Sequence, residues 1–519
     1  MFYKNNYDYD MMYTDEESDC LDCNSDNLNK PPNLAYDYAD DYDYLEIHNS
    51  ETFLQILKNC VFTSIDATSN FSTLFIANIL LRLFIQFVPP RAYHLVSILT
   101  GIFIVNYYAA ESLFLMSVYT VISYICLCVP RKYQRGIEML SISLCTILIC
   151  EYSMDPTSWH RIRGIIMIAA MKAVSISLDS KNNRNFSFNI WEYIAYIFSP
   201  LTCIFGPWMS FYNYKAMTTG RTVERKLTIR QIIVLWLQDL GVALKNFIVA
   251  LIFLSISNCF AQWFIPNYIS DGKWFTAYGD ALSFRSSHYF ICYVSSTVLS
   301  LGGVTSLIHP PTSTPTELIS STMTPATITR SIDIELPRSL VQVVISWNVP
   351  MHAWLKSYIF RPSINHVGKF NAVILTYLAS SLLHGLNFQI AAVLLSLGLY
   401  TYIEFKLRNH LANTFNACIG SRRCYSSSAS SVKSIIGFCG GTECRYQLNS
   451  KNSIKVLLTN IGFSLLAVFH LAYLGLMFDT SELQETGYNY LHTIEKWSQL
   501  GFASHLIALS TYIIYYLIT

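Results

Sequence analysis

The sequence predicts an all-α polytopic membrane protein. Charged residues make up 13% of its 519 residues and hydrophobic residues 52%, whereas soluble domains carry about 25% charged residues. Residues 371–403, NAVILTYLASSLLHGLNFQIAAVLLSLGLYTYI, contain no Asp, Glu, Lys or Arg. Several shorter runs share this property, and apolar runs of about 20 residues are typical of membrane helices. These observations favour a membrane-embedded helical bundle over a soluble domain.

The first fifty residues differ from the rest of the chain, because they hold thirteen carboxylates against two lysines. Segments with high net charge and few aliphatic side chains bury too little surface to offset the entropy of ordering. We therefore expect residues 1–50 to be a disordered acidic tail and residues 51–519 to form the membrane-embedded domain. The tail does not resemble a cleavable signal peptide, so the first membrane helix is expected to direct insertion.

The apolar runs predict about 11 membrane-spanning helices. The candidate segments are 71–88, 92–110, 112–129, 137–153, 163–178, 190–212, 231–266, 286–308, 371–384, 386–405, 456–478 and 498–518. Loops 213–230 and 406–455 are rich in Lys and Arg, which indicates that they lie on the cytosolic side. A further basic linker around Lys181 precedes segment 190–212, so that segment is expected to be re-entrant.

Two other loops are predicted to be flexible, because they lack helical periodicity. Residues 309–330 are rich in Pro, Thr and Ser, and residues 412–450 mix Ser with scattered Cys. The Cys20–Cys23 pair has no second pair at zinc-finger spacing. We expect no metal, no permanently bound cofactor and no nucleic-acid partner.

The run 371–403 is too long for one straight helix. At about 1.5 Å per residue it would extend roughly 50 Å, while the bilayer core is about 30 Å thick. Glycine commonly follows the end of a helix, so a break is expected at His384–Gly385. Tyr377, Ser380 and His384 share one helical face, and this polar face predicts a cavity rather than contact with lipid.

His384 is the strongest candidate for chemistry in this hairpin. Burial disfavours the charged imidazolium, and a neutral imidazole can take a proton from an attacking hydroxyl, which contributes about 10²–10⁴-fold in rate. The run 371–403 holds no carboxylate for a relay of acids, and the chain has no G-x-S-x-G nucleophile elbow. Direct transfer to a bound hydroxyl, assisted by an amide such as Asn348, therefore fits better than covalent catalysis.

Residues 334–360 are predicted to form an amphipathic segment at the membrane interface. Leu340, Val343 and Trp347 fall on one helical face, and Trp and Tyr side chains collect at interfaces. Asn348 follows Trp347 directly, and an asparagine in this position could serve merely as a helix cap.

The segments around Asn348 and His384 resemble the membrane-bound O-acyltransferase family. The resemblance lies in the pattern WN-x-P-x-x-x-WL, residues 347–355, followed by a histidine in an apolar helix. Within that family it extends to members that acylate Wnt proteins, and it covers roughly residues 70–480. The segments that carry this extension are MKAVSISLD (171–179), FGPWMSFYNY (205–214), FRSSHYFICYVSS (284–296), ELPRS (335–339), LLHGLNFQIAAVLLSLG (382–398) and YIEFKLR (402–408).

This resemblance implies a helical bundle around a central tunnel, with re-entrant and interfacial helices, in the endoplasmic reticulum membrane. It also implies transfer of a palmitoleoyl group from palmitoleoyl-CoA to a serine hydroxyl of a Wnt protein. His384 matches the catalytic histidine of the family, and Asn348 matches its partner. The positions that match residues lining the site around the acyl thioester are Trp347, Tyr377, Ser380 and Leu383. The implied partners are the acyl donor, the Wnt acceptor and membrane lipids.

Two alternatives remain open. One keeps the family but changes the acceptor to a lysophospholipid, a sterol or another secreted protein. The other is a multispanning transporter with a substrate-binding histidine. The extended match is unfavourable to the first alternative. The lone histidine without carboxylates, and a sequence without an internal repeat, are unfavourable to the second.

Overall fold

Every regular element in the described part of the chain is helical, so the predicted all-α class is confirmed. The structure, a computed structural model, describes residues 53–85, 87, 89–129, 135–182, 188–224, 228–270, 272–305, 327–422, 454–478 and 490–519. The predicted acidic tail and the greater part of both predicted flexible loops lie outside these ranges. The described residues divide into two units, residues 53–59 and the described residues from 60 to 519.

The helices follow one another through the second unit, with α1 beginning in the first. They are α1 (Phe53–Ser69), α2 (Ser72–Ile85), α3 (Pro90–Cys128), α4 (Arg135–Ser153), α5 (Pro156–Asn182), α6 (Ile190–Ile197), α7 (Phe211–Glu224), α8 (Ile229–Ser255), α9 (Ala261–Phe264), α10 (Lys273–Leu301), α11 (Ser331–Glu335), α12 (Leu340–Trp347), α13 (Val349–Leu355), α14 (Arg361–Leu383), α15 (Phe388–Thr414), α16 (Ile454–Gly475), α17 (Tyr490–Gln499) and α18 (Ala503–Ile518). Single π-helical turns are Ile256–Phe260, Ile265–Ile269 and Lys356–Phe360.

Among the described helices, five are long and apolar enough to cross a membrane. They are Ala92–Cys128, Gly136–Ser153, Ile229–Phe260, Phe388–Thr414 and Ile454–Gly475. Two bent pairs, α1 with α2 and α17 with α18, raise the number to as many as seven. The protein is therefore a multi-pass membrane protein. The predicted total of about 11 spans includes helices with internal charges, such as α5 and α10, and stays a prediction.

The structure interrupts the helical backbone close to two of the predicted breaks. Segments 92–110 and 112–129 belong to α3, which kinks at Ala109, a residue with non-helical backbone angles. Segment 190–212 is not one helix, because α6 ends at Ile197 and α7 begins only at Phe211. Such irregular backbone survives in a membrane protein only where it is buried in protein or lines a cavity.

The interface position predicted for residues 334–360 is wrong for Trp354, and for the rest of this segment it stays a prediction. Trp354 is fully buried in the main core, and its indole N–H donates to the Met171 carbonyl oxygen at 3.1 Å. The Tyr358 hydroxyl donates to the Asp179 carboxylate at 2.9 Å. The segment is thus anchored on α5 by polar contacts inside the protein.

The described start of loop 412–450 is folded, so the expectation of flexibility is wrong for residues 412–422. Cys418 and Ile419 are buried. The Arg408 Nε donates to the Ile419 carbonyl oxygen at 2.8 Å, and Arg338 Nη2 donates to that of Cys418 at 2.8 Å. The last described part of loop 309–330 is also ordered by hydrogen bonds to the ends of α12 and α13.

Two features of the basic loops that were predicted to be cytosolic need correction. Arg408 does not belong to an exposed loop, because it is fully buried in α15 and pairs with Glu404 at 3.3 Å. Most of the segment 213–230 is helical rather than loop, since α7 extends to Glu224.

Candidate active site

The apolar hairpin breaks at His384–Gly385, as predicted. α14 ends one residue before the histidine, whose backbone N–H donates to the Ser381 carbonyl oxygen at 3.0 Å. Gly385 has a φ of +88°, a left-handed conformation that favours glycine. α15 then starts with a cap in which the Asn387 side chain accepts from the Ile390 N–H at 3.1 Å. The turn is therefore specified by its own residues.

The imidazole of His384 is half-buried and makes no hydrogen bond within the described residues. Its ring nitrogens are therefore available to a substrate. The groups whose charges act on it are Arg163 of α5 and His288 of α10. Both residues are remote from His384 in sequence, and neither was among the predicted site residues.

The other predicted residues of α14 take separate positions. Ser380 is 7% exposed and Leu383 is 2% exposed, and Leu383 belongs to the main hydrophobic core. The Tyr377 ring packs on Gly398 of α15, where an added Cβ would lie 2.6 Å from the ring. Tyr377 thus fills the seam between α14 and α15.

Asn348 lies at the junction of α12 and α13 and caps α13. Its Oδ1 accepts from the Met351 N–H at 3.0 Å, as expected of a helix N-cap. Its Nδ2 makes no hydrogen bond within the described residues. The cap therefore fixes the amide plane and leaves a donor unused.

Trp347 is held against α10 by His288. The His288 and Trp347 rings stack with centroids 4.5 Å apart, and His288 Nε2 lies 3.1 Å from the Trp347 carbonyl oxygen. His288 also interacts electrostatically with His384, but no hydrogen bond or ring contact joins these two residues in the described part of the chain. No hydrogen bond joins Asn348 to His384 among the described residues.

A carboxylate also reaches the turn from outside the hairpin. Glu151 of α4 lies against Gly385, although residues 371–403 themselves contain no acidic residue. Spacing along the chain could not have found it, because α4 is more than two hundred residues away. The His288 segment, by contrast, was among the motifs singled out in the sequence.

The polar groups at this site can support proton transfer. Within the described residues, no group of three or more His, Cys, Asp or Glu side chains could hold a metal ion. A free imidazole can take a proton from a hydroxyl, and a fixed amide N–H can stabilise developing negative charge.

The chain belongs to the membrane-bound O-acyltransferase family, whose sequence profile matches residues 63–417. It is therefore an enzyme of the O-acyltransferase class, and the resemblance seen in the motifs is confirmed. Because the chain belongs to this family, the alternative of a multispanning transporter is wrong.

Similarity to individual relatives extends over nearly the whole chain. A mouse protein named protein-serine O-palmitoleoyltransferase porcupine is 31% identical over 496 residues, which cover 90% of this chain and 98% of the relative. The human protein of that name is 34% identical over 407 residues, or 74% of this chain and 80% of the relative. The Anopheles gambiae protein of that name is 30% identical over 91% of this chain and 95% of the relative.

Proposed function

We propose that this protein transfers a palmitoleoyl group from palmitoleoyl-CoA to a serine hydroxyl of a Wnt protein at the endoplasmic reticulum membrane. The observation that carries the proposal is the similarity to relatives named for this reaction, which spans 98% of the length of the mouse protein. The free imidazole at the His384–Gly385 turn supplies the base that the reaction requires.

In this mechanism His384 is the general base. Its neutral imidazole takes the serine hydroxyl proton while the serine oxygen attacks the thioester carbonyl carbon. The tetrahedral intermediate collapses, the carbon–sulfur bond breaks, and the coenzyme A thiolate leaves. The imidazolium then gives its proton to that sulfur, so the products are the serine ester and free coenzyme A.

Asn348 assists from the opposite segment. The hydrogen bond that caps α13 holds the Asn348 Oδ1 in place. The orientation of the amide group, and with it that of the unused Nδ2 donor, is therefore fixed. A preorganised donor of this kind stabilises the oxyanion of the intermediate, and removal of one such donor typically costs about 10²–10³-fold in rate. The resemblance assigns Trp347, Tyr377, Ser380 and Leu383 to positions near the acyl thioester, although Leu383 packs in the main core and Tyr377 fills the seam between α14 and α15.

A tunnel through the bundle would bring the two substrates together. The acyl-CoA carries phosphates and arrives from the cytosolic face, where basic segments attract it, and the secreted acceptor arrives from the lumen. About 11 crossing helices would enclose this path, and surrounding lipid contacts the apolar outer faces. The donor is a substrate that leaves after each turnover.

The proposal is tested by measuring which acceptor the purified protein acylates. It is reconstituted in nanodiscs with palmitoleoyl-CoA and a disulfide-closed Wnt hairpin peptide, and products are followed by mass spectrometry. The matched control peptide carries alanine in place of the acceptor serine. We expect acylation of the serine peptide alone. Acylation of lysophosphatidylcholine or cholesterol, with the peptide unmodified, would assign the protein to another acceptor class within its family.

A further inference from the structure

The Glu151 carboxylate lies directly on the backbone of the catalytic turn. A Cβ built on Gly385 would lie 3.0 Å from Glu151 Cδ and in steric conflict with Oε2. The glycine therefore serves two purposes, since it permits the positive φ and makes room for the carboxylate. This close contact shows that α4 packs directly against the turn.

A second contact fixes the direction of that carboxylate. The indole N–H of Trp159, a buried side chain near the start of α5, donates to Glu151 Oε2 at 2.5 Å. A hydrogen bond from an indole N–H to a carboxylate oxygen fixes the direction of that oxygen. Glu151 Oε2 thus joins α5 to the turn.

Arg163 is near this cluster but does not form an ion pair with Glu151 in the described part of the chain. Arg163 attracts the carboxylate only over a longer distance. The short contacts of Glu151 are therefore to Trp159 and to the turn.

We propose that Glu151 is a positioning residue that sets the orientation of the His384 imidazole by bracing the Gly385 turn. The inference rests on the proposed function, because it assigns His384 the role of base. Glu151 touches the backbone beside His384 and does not need to contact substrate. In this proposal the turn is held by the length of the Glu151 side chain and by its hydrogen bond to Trp159. The negative charge of the carboxylate matters less.

The size of the expected effect follows from the geometry of general-base catalysis. A displacement of about 1 Å at a reacting group can cost about 10²-fold in rate. Removal of the brace should act on kcat, because the proposal gives Glu151 no contact with either substrate.

The experiment compares Glu151→Ala, Glu151→Gln and Glu151→Asp in the peptide acylation assay. We expect the alanine variant to lose at least about tenfold in kcat, with KM for palmitoleoyl-CoA within about twofold of wild type. The glutamine variant keeps the length and an acceptor for Trp159, so its kcat should recover to within about threefold. The aspartate variant keeps the charge but is too short, and it should remain impaired. Glu138→Ala, an exposed change on the same helix, is the matched control.

Three outcomes would overturn the inference. They are an unchanged kcat in Glu151→Ala, a loss confined to KM, and rescue by aspartate but not by glutamine, which would make charge the property that matters. If Glu151→Ala does not fold, Trp159→Phe removes only the indole donor and should still lower kcat alone. A wild-type protein without transferase activity would refute the proposed function itself. A wild-type protein with normal activity, together with an unaffected Glu151→Ala variant, would refute only the role given to Glu151.

Discussion

The imidazole of His288 stacks on the indole of Trp347, with ring centroids 4.5 Å apart and ring planes 10° apart. Its Nε2 also lies 3.1 Å from the Trp347 carbonyl oxygen. This pair joins α10 to the residue that precedes the Asn348 cap. It therefore holds one of the two segments on which the proposed chemistry depends against α10.

Replacement of His288 should separate stacking from hydrogen bonding. His288→Phe keeps an aromatic partner for Trp347, so we expect a modest loss in kcat/KM for peptide acylation. His288→Ala removes both contacts and should lose about tenfold more, since an aromatic pair contributes about 0.5–1.5 kcal/mol beyond its buried area. His366→Ala, an exposed histidine change on α14, should be silent. Equal rates in all three variants would deny His288 any part in ordering the site.

Gly385→Ala should be severely damaging. Alanine in a left-handed conformation costs about 1–2 kcal/mol, and here its Cβ would also meet the Glu151 carboxylate. We expect a lower melting temperature in detergent together with loss of transfer. The matched control is Gly462→Ala on α16, where an added Cβ meets nothing within 4 Å, and this change should be neutral or slightly stabilising. A Gly385→Ala protein with normal stability and rate would contradict the turn geometry.

Asn348 has two roles, as the cap of α13 through Oδ1 and as a hydrogen-bond donor through Nδ2, and substitutions can separate them. Asn348→Asp keeps an oxygen that can cap α13 but removes the Nδ2 donor, so we expect wild-type thermal stability with strongly reduced kcat. Asn348→Ala loses both and should additionally lose about 1 kcal/mol of stability. Circular dichroism melting and peptide acylation measure the two effects separately. Full activity in Asn348→Asp would reduce this residue to a helix cap.

The Glu404–Arg408 pair should be among the most sensitive contacts in the fold. Both side chains are nearly inaccessible to solvent, and removal of one partner of a buried pair costs about 3–5 kcal/mol. Arg408→Met should therefore lower the melting temperature sharply. Arg161→Met breaks a surface pair with Glu111 at 3.6 Å between side chains about half exposed, so its effect should stay below about 1 kcal/mol. Comparable melting temperatures for the two variants would show that Arg408 is not held as described.

The sequence predicted the helical class and the His384–Gly385 break, because apolar length and a helix-ending glycine are local signals. It placed Trp354 wrongly at an interface, because an amphipathic pattern does not distinguish a lipid neighbour from a protein neighbour. It also assigned Arg408 to an exposed basic loop, since the partner contacts that bury it are tertiary. Glu151 and His288 were missed for the same reason, because they reach the site from helices remote in the chain.

The central claim is that the His384 imidazole is the base for acyl transfer, and the most direct measurement is peptide acylation by His384→Ala. The variant should retain the wild-type melting temperature, since the ring makes no hydrogen bond within the described residues. We expect its kcat to fall by about 10²–10⁴-fold, while binding of palmitoleoyl-CoA is unchanged. A folded His384→Ala protein that acylates the hairpin peptide at a rate near wild type would contradict the account.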